Sequence, residues 1–350
     1  MRLRRLRARL GHRRAPLRSR TSAIVAASRS HNERQRDQDA GPPQISLAHP
    51  TFATHRAAMR LEIAAVVVLY HPSETVLANV GSYRSQVDAV IAVDNSENAD
   101  TYIAAQLESR GATYVPMGRN LGIAAALNEG CRRARDLGFD WVLTLDQDST
   151  VTPGMVVSLS ECVELRRPSA GDIAIVAPVW QQVGGLPVAT ARGCADLEVA
   201  MTSGSLTRLS ALEELGGFRE DLFIDRVDNE FCLRARRHGW RIVQRKDAVL
   251  LHRMGDLRQV TFPVRCWVSD YSPLRRYYMV RNLLEVRREF GHEFPRVMAL
   301  ERAYWCRELV KIMLAESCRL EKAKMMLRGW LDYRLRRFGR YEDLHPPRPH

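Results

Sequence analysis

The chain is predicted to adopt an α/β fold, a mainly parallel sheet flanked by helices with a C-terminal helical extension, on three observations. Between residues 63 and 146, four apolar runs alternate with stretches of helical spacing, a pattern that builds parallel sheets through right-handed crossovers. The first two runs are apolar at nearly every position, as strands buried on both faces require. Each unit ends in polar residues, and in open α/β sheets ligands sit beyond the carboxyl ends of the strands.

The elements follow in order. Ile63-Ala-Ala-Val-Val-Val-Leu69 reads as a buried strand bounded by Tyr70-His71-Pro72. Ser73–Val87 reads as a helix with a Ser cap, and Ala89–Val93 as a second strand ending in Asp94-Asn95-Ser96. A helix over 100–110 leads to a short strand, Thr113–Val115, followed by Gly118-Arg119-Asn120-Leu121-Gly122. Ile123, Ala126, Leu127, Gly130, Cys131 and Ala134 then fall at helical spacing. That helix feeds Trp141–Leu145, whose end carries Asp146-Gln147-Asp148. Two carboxylates one residue apart at a strand end are the leading candidates to hold a cation or a charged ligand.

Beyond residue 150 the pattern is less regular. Ile173–Ala177 reads as a strand, Trp180 opens a Gly-rich connection through Gly193, and Val199–Ser203 is expected as another strand. A helix near 210–215 ends at Gly216-Gly217, and a second carries Phe231, Cys232, Leu233 and Ala235 inward. Arg241–Val243 and Ala248–Leu251 read as two short strands, the latter reaching His252. From Ser272 the chain turns helical, with a further helix near Arg296–Ala315. The basic and apolar residues after Lys322 suit either a packed helix or a membrane-interface segment.

Charge is concentrated at the two ends. The net +13 comprises +11 over residues 1–60, with 14 Arg and 3 acids, and +5 over residues 301–350, leaving −3 for the middle. A nucleic-acid enzyme carries its basic patch on the working domain, so nucleic acid is not expected as substrate. Residues 1–58 read as a disordered basic extension without the apolar core of a secretory signal. Met59 is an alternative start, and a basic tail on an anionic surface is the functional reading of the extension. Seven cysteines, odd in number and without a Cys-x-x-Cys pair, predict a reducing, cytoplasmic setting without a disulfide framework or zinc site. No apolar run approaches the ~18–20 residues of a membrane span.

Five motifs together resemble one family. Val93-Asp94-Asn95-Ser96, Gly118–Ala124, Asp146-Gln147-Asp148-Ser149, Phe223–Arg234 and Arg276–Asn282 resemble the rhamnosyltransferase branch of glycosyltransferase family 2. The resemblance covers about residues 61–290, and the domain it implies runs over 59–271, followed by a helical region over 272–350. It implies a GT-A nucleotide-diphospho-sugar transferase fold, a divalent metal (Mg²⁺ or Mn²⁺), an inverting reaction and dTDP-L-rhamnose as donor. Carried over by position, it implies nucleotide-sugar contacts at Asp94, Arg119, Asn120 and Asp146, a metal site at Asp148 with Asp146, and Asp228 as catalytic base. Tyr70 and Asn95, at the same strand-end edge, join the nucleotide-sugar group, and His252 is a further candidate for the metal shell.

The residue types suit that chemistry. Carboxylate oxygens hold a hard cation that still accepts phosphate ligands, and a base must take the acceptor proton. Asp225 and Glu230 rival Asp228 as the base, and an N-cap role for Asp228 is the structural alternative. Trp180, Asp225, Tyr278 and Arg281 are candidates for the acceptor side. Two departures stand out: Arg119 separates Gly118 from Asn120, and Asn229 occupies a place where the branch often has Thr. The expected acceptor is a cell-surface glycan or a polyprenyl-linked precursor, reached from the inner face of the plasma membrane with peripheral contact through the C-terminal basic helices. Alternatives are a family 2 enzyme using a UDP-sugar (galactofuranosyl or hexosyl), or a non-catalytic protein binding membrane or nucleic acid through its basic ends.

Overall fold

The computed structural model describes residues 60–165, 172–183, 191–252, 258–261 and 265–346. The expectations for residues 1–58, for Met59 and for most of the Gly-rich connection after Trp180 lie outside the described residues.

β1 (Ile63–Leu69), α1 (Thr75–Arg84), β2 (Ala89–Asp94), α2 (Thr101–Ser109), β3 (Ala112–Pro116), α3 (Ile123–Asp136) and β4 (Trp141–Asp146) alternate as predicted. β1 pairs in parallel with β2 and β4, and β2 with β3. The continuous apolar run of β1 has a direct cause: Ala65, Val67 and Leu69 enter the core on one face, and Ala64, Val66 and Val68 the core on the other. The register sets Leu69 opposite Asp94, Val68 opposite Asp146 and Asp94 opposite Pro116, so the polar ends share one edge. α1 begins two residues later than Ser73, without a side-chain cap, whereas Asp100 caps α2 by accepting from the N–H groups of Tyr102 and Ile103.

The second half adds β5 (Ser149–Val151), α4 (Met155–Leu165), β6 (Ile173–Gln182), β7 (Cys194–Leu197), β8 (Ser205–Arg208), α5 (Leu209–Glu214), α6 (Val227–Arg237) and β9 (Arg241–His252). The sheet order is β3-β2-β1-β4-β8-β6-β9-β5, with β7 also on β9. β8 runs antiparallel to β4 and β6, and β5 and β7 run antiparallel to β9. Two expectations are corrected here. Residues 199–203 are irregular, and the strand starts at Ser205. The two short strands after Arg241 are one, because β7 pairs with Gln244 and Arg245 and carries the strand through a polar stretch that sequence reading takes for a break.

The structure joins Cys162 on α4 to Cys194 on β7, against the expectation of no disulfide. Cys131 and Cys232 are free and buried, as small core residues.

A two-stranded piece, β10 (Arg258–Thr261) with β11 (Arg265–Val268), precedes the helices α7 (Pro273–Phe290), α8 (Pro295–Ala315), α9 (Arg319–Arg334) and α10 (Tyr341–Leu344). α7 and α9 approach closely at Gly329, where an added Cβ would lie 2.5 Å from the Tyr277 carbonyl oxygen. Buried charge ties the helices together. Arg276 on α7 pairs with Glu308 of α8 and with Glu316, Lys322 of α9 meets Glu316 at 2.8 Å, and the Tyr277 hydroxyl donates to Asp332 at 2.8 Å. Among the described residues, no helix is long and apolar enough to cross a membrane.

Candidate active site

The strand-end edge opens into a cleft of about 760 Å³. Asp146 ends β4, Asp148 follows in the tight turn before β5, and His252 ends β9. β5 pairs with β9 so that Ser149 lies opposite His252, which brings a histidine a hundred residues away against the acidic pair. His252 Nδ1 is 3.3 Å from Asp148 Oδ1 and 3.1 Å from Ser149 Oγ. One ligand atom from each of Asp146, Asp148 and His252 lies within 4.8 Å of the others. Two carboxylates and an imidazole so placed fit a divalent cation. Asp148 keeps 43% of its side chain exposed, which leaves room for ligands from a substrate.

The electrostatics agree with that donor set. Burial pushes the Asp146 carboxyl up to about 6; His252 and Arg275 pull the other way, while the charges of Asp148 and Asp228 add to the rise. His252 is raised as well: burial disfavours its charged form, but the hydrogen bond and charge of Asp148 and the charge of Asp146 outweigh it.

Asp228 lines the opposite side of the same cleft. It is the second residue of α6, whose N-cap is Arg226, so the capping alternative is replaced by a place in the positively polarised first turn. Burial raises its carboxyl; the Asn229 N–H, which donates to it at 2.8 Å, and the charge of Arg226 act against the rise. Its rivals are engaged elsewhere. Glu230 is buried in a two-pronged pair with Arg234, and Asp225 is gripped by Arg275 at 2.7 and 3.0 Å.

The loop before α6 is strained: Phe223, Asp225 and Arg226 all have positive φ, at 66°, 63° and 66°. The α7 side chains hold it. Asn282 Nδ2 donates to the carbonyls of Leu222, Ile224 and Asp225 at 2.8, 2.7 and 3.1 Å, and Arg281 Nη2 to those of Leu222 and Asp221. Tyr278 stacks on Phe223 with centroids 5.1 Å apart. Tyr278 and Arg281 are therefore corrected as acceptor candidates: both are buried and brace the loop from behind.

The same loop contacts the glycine-rich turn. The Ile123 N–H donates to the Phe223 carbonyl at 2.8 Å, and at Gly122 (φ +89°) an added Cβ would lie 2.5 Å from that oxygen. Asn120 Oδ1 accepts from Asn95 Nδ2, and the Leu121 N–H donates to Asn95 Oδ1. Asp94 is buried, accepting from the Tyr114 hydroxyl and from Ser96 N–H at 2.9 Å, and Arg119 is exposed in the turn after β3. Asp94, Asn95, Arg119 and Asn120 thus form one group at the strand-end edge, outside the cleft lining, whereas Tyr70, Asp146, Asp148, Asp225, Asp228 and His252 share the cleft. Tyr70 is fixed through its backbone, which exchanges hydrogen bonds of 2.8 and 3.1 Å with the Gln147 amide. Trp180 packs edge-on to His252 at 6.4 Å and is not part of the cleft lining.

Sequence reading missed the wall supplied by the C-terminal helices. Tyr271 lines the cleft just before α7, Arg275 and Met279 from its first turns, and Glu301 and Tyr304 from α8. Glu301 Oε1 pairs with Arg226 at 2.6 Å, and its Oε2 is buried with no hydrogen-bond partner among the described residues. No motif marks these residues, since Arg275 and Arg276 are adjacent and only one faces the cleft.

This combination of parallel strand ends, acidic pair and facing carboxylate sits on a GT-A fold. The same fold occurs in two solved structures: GalNAc-T7 with UDP, GalNAc and Mn²⁺ (TM-score 0.53, 13% identity, 83% of this chain and 59% of that one) and residues 1–349 of TarS from S. aureus with UDP-GlcNAc (TM-score 0.50, 14% identity, 78% and 80%). Residues 65–167 match the family model for glycosyl transferase family 2. A curated relative, the dTDP-rhamnosyl transferase RfbF of Shigella flexneri, is 29% identical over 237 residues, 64% of this chain and 79% of its own length. These similarities point to glycosyltransferase family 2 and, within it, to the rhamnosyltransferase branch.

Proposed function

We propose that the chain transfers L-rhamnose from dTDP-L-rhamnose to a hydroxyl of a cell-surface glycan or its polyprenyl-linked precursor, with inversion at the anomeric carbon. The observation that carries this is the placement of Asp146, Asp148 and His252 across one cleft from Asp228. The donor rests on the similarity to the Shigella enzyme.

Asp148, Asp146 and His252 would hold Mg²⁺ or Mn²⁺, which when bound neutralises the charge that develops on a diphosphate leaving group. Asp228 takes the proton of the acceptor hydroxyl as that oxygen attacks the anomeric carbon from the opposite face. Its raised carboxyl suits a group that must accept a proton at neutral pH. Asp94, Asn95, Arg119 and Asn120 serve the nucleotide side from the strand-end edge. Asp225, locked to Arg275, belongs to the acceptor side with Glu301 and Tyr304. Such an acceptor places the enzyme in the cytoplasm at the inner face of the plasma membrane, which subcellular fractionation tests.

A donor panel decides the substrate. With an acceptor glycan extract, the protein should release dTDP from dTDP-L-rhamnose and little UDP from UDP-galactofuranose or UDP-hexoses. Release of UDP without turnover of dTDP-L-rhamnose transfers the assignment to a UDP-sugar enzyme.

A further inference from the structure

We propose that the elbow between α8 and α9 seats this protein on an anionic lipid bilayer. Folding sorts the charges of this segment by depth. Of the four acids between residues 302 and 337, Glu308, Glu316 and Asp332 are buried, engaged by Arg276, Lys322 and Tyr277. Glu321 is the one left exposed, whereas Arg307, Arg319, Lys324, Arg334 and Arg337 are all exposed. The charges left on the outward surface are therefore almost all positive.

The same surface is apolar. On the last turns of α8, Val310, Met313 and Leu314 are 56%, 59% and 50% exposed, and just past the turn Leu320 is 79% exposed. On α9, Leu320, Lys324, Leu327, Leu331 and Arg334 recur at helical spacing, so aliphatic and basic residues share one stripe. Trp330 beside it is 43% exposed. Exposed apolar residues in such numbers on adjoining turns mark an interaction surface.

Charge selects the occupant. A second copy of this chain meeting the same patch about a two-fold axis would set like charges against each other. An anionic bilayer accepts both properties together, aliphatic and Trp side chains at the acyl boundary and Arg and Lys at the headgroup phosphates.

The seat also bears on the proposed acceptor, and this extension alone rests on the reading above. Tyr304 lines the cleft on α8, and Leu314 lies ten residues along the same helix, roughly 15 Å away at 1.5 Å per residue. A lipid-linked sugar acceptor would then reach the cleft while its tail stays in the bilayer.

Vesicle flotation with the full chain tests the surface separately from catalysis. Binding is expected to vesicles containing about 30% phosphatidylglycerol, to fall in high salt, and to be weak on pure phosphatidylcholine. Met313→Glu with Leu320→Glu should abolish it, and Arg307→Gln or Lys324→Gln should weaken it roughly fivefold per charge. Each variant should retain turnover on a soluble acceptor, which also shows that it folds. Binding that survives all four substitutions places the contact elsewhere in the chain and overturns the proposal. So does a dimer in light scattering that the Glu variants dissolve without changing flotation. Failure of rhamnose transfer with intact, substitution-sensitive flotation overturns only the donor assignment.

Discussion

Asp228 and Asp146 are both driven toward the neutral form by burial, yet their settings differ. Asp146 stands with Asp148 and an imidazole as a donor set for a cation, whereas Asp228 stands at a helix start with the neighbouring acids Asp225 and Glu230 tied to arginines. Asp228→Asn should lower kcat by about 10²–10⁴-fold, with dTDP affinity by calorimetry unchanged. The pH dependence carries a definite sign. Only the ionised carboxylate accepts a proton, so kcat/KM should rise with pH, and the raised carboxyl sets the midpoint of that limb above the ordinary 3.8 of an aspartate. A profile flat down to pH 4 would remove Asp228 from the role. Asp148→Ala should abolish cation-dependent turnover, read by titrating Mn²⁺ against activity.

At the scale of elements, the loop before α6 and the first half of α8 decide what the cleft can do. The loop stores three left-handed residues and is held by Asn282, whose one amide satisfies three carbonyls. Asn282→Ala leaves these buried acceptors short of a donor and should cost about 1–3 kcal/mol in urea unfolding. Because the loop carries Asp225 and leads into Asp228, kcat should fall with it. α8 contributes through Glu301, with one carboxylate oxygen on Arg226 and the other unpartnered among the described residues. Glu301→Gln and Tyr304→Ala should raise the acceptor KM while slow hydrolysis of the donor without acceptor stays at its wild-type rate. A rise in donor KM instead would place these residues on the nucleotide side.

At the scale of the whole molecule, the C-terminal helices are fastened by charge as much as by apolar packing. Burial alone would raise the Glu285 carboxyl, but hydrogen bonds from Arg336, Arg288 and Arg219 overcome it and bring it down to about 2. A folded-state value below the ordinary 4.5 contributes stability that is fully present above pH 4.5 and is lost as pH falls toward 2. Thermal unfolding should therefore show a marked drop in Tm over that window, and Glu285→Gln should flatten it. Glu316→Gln, which strips the shared partner of Arg276 and Lys322, should cost about 3–5 kcal/mol.

Much of the catalytic half was legible because it is written locally. Continuous apolar runs dictate strands buried on both faces, and polar residues at their ends dictate where a ligand edge forms; β1 to β4 and the Asp146-Gln147-Asp148 turn follow from this. The antiparallel half resisted because pairing overrides composition: β9 runs on through Gln244 and Arg245 with β6 and β7 paired to it, and β7 carries the Cys194 that joins Cys162. By itself the sequence determined the α/β class, the acidic pair and the helix-start Asp228. Tertiary structure alone decided that His252 joins the pair, that Tyr278 and Arg281 support the loop rather than touch substrate, and that Glu301 and Tyr304 complete the cleft. The physical reason is that burial and partnership are properties of long-range packing: adjacent arginines on α7 have identical chemistry in the chain, and only the helices around them send Arg275 to the cleft and Arg276 to the core.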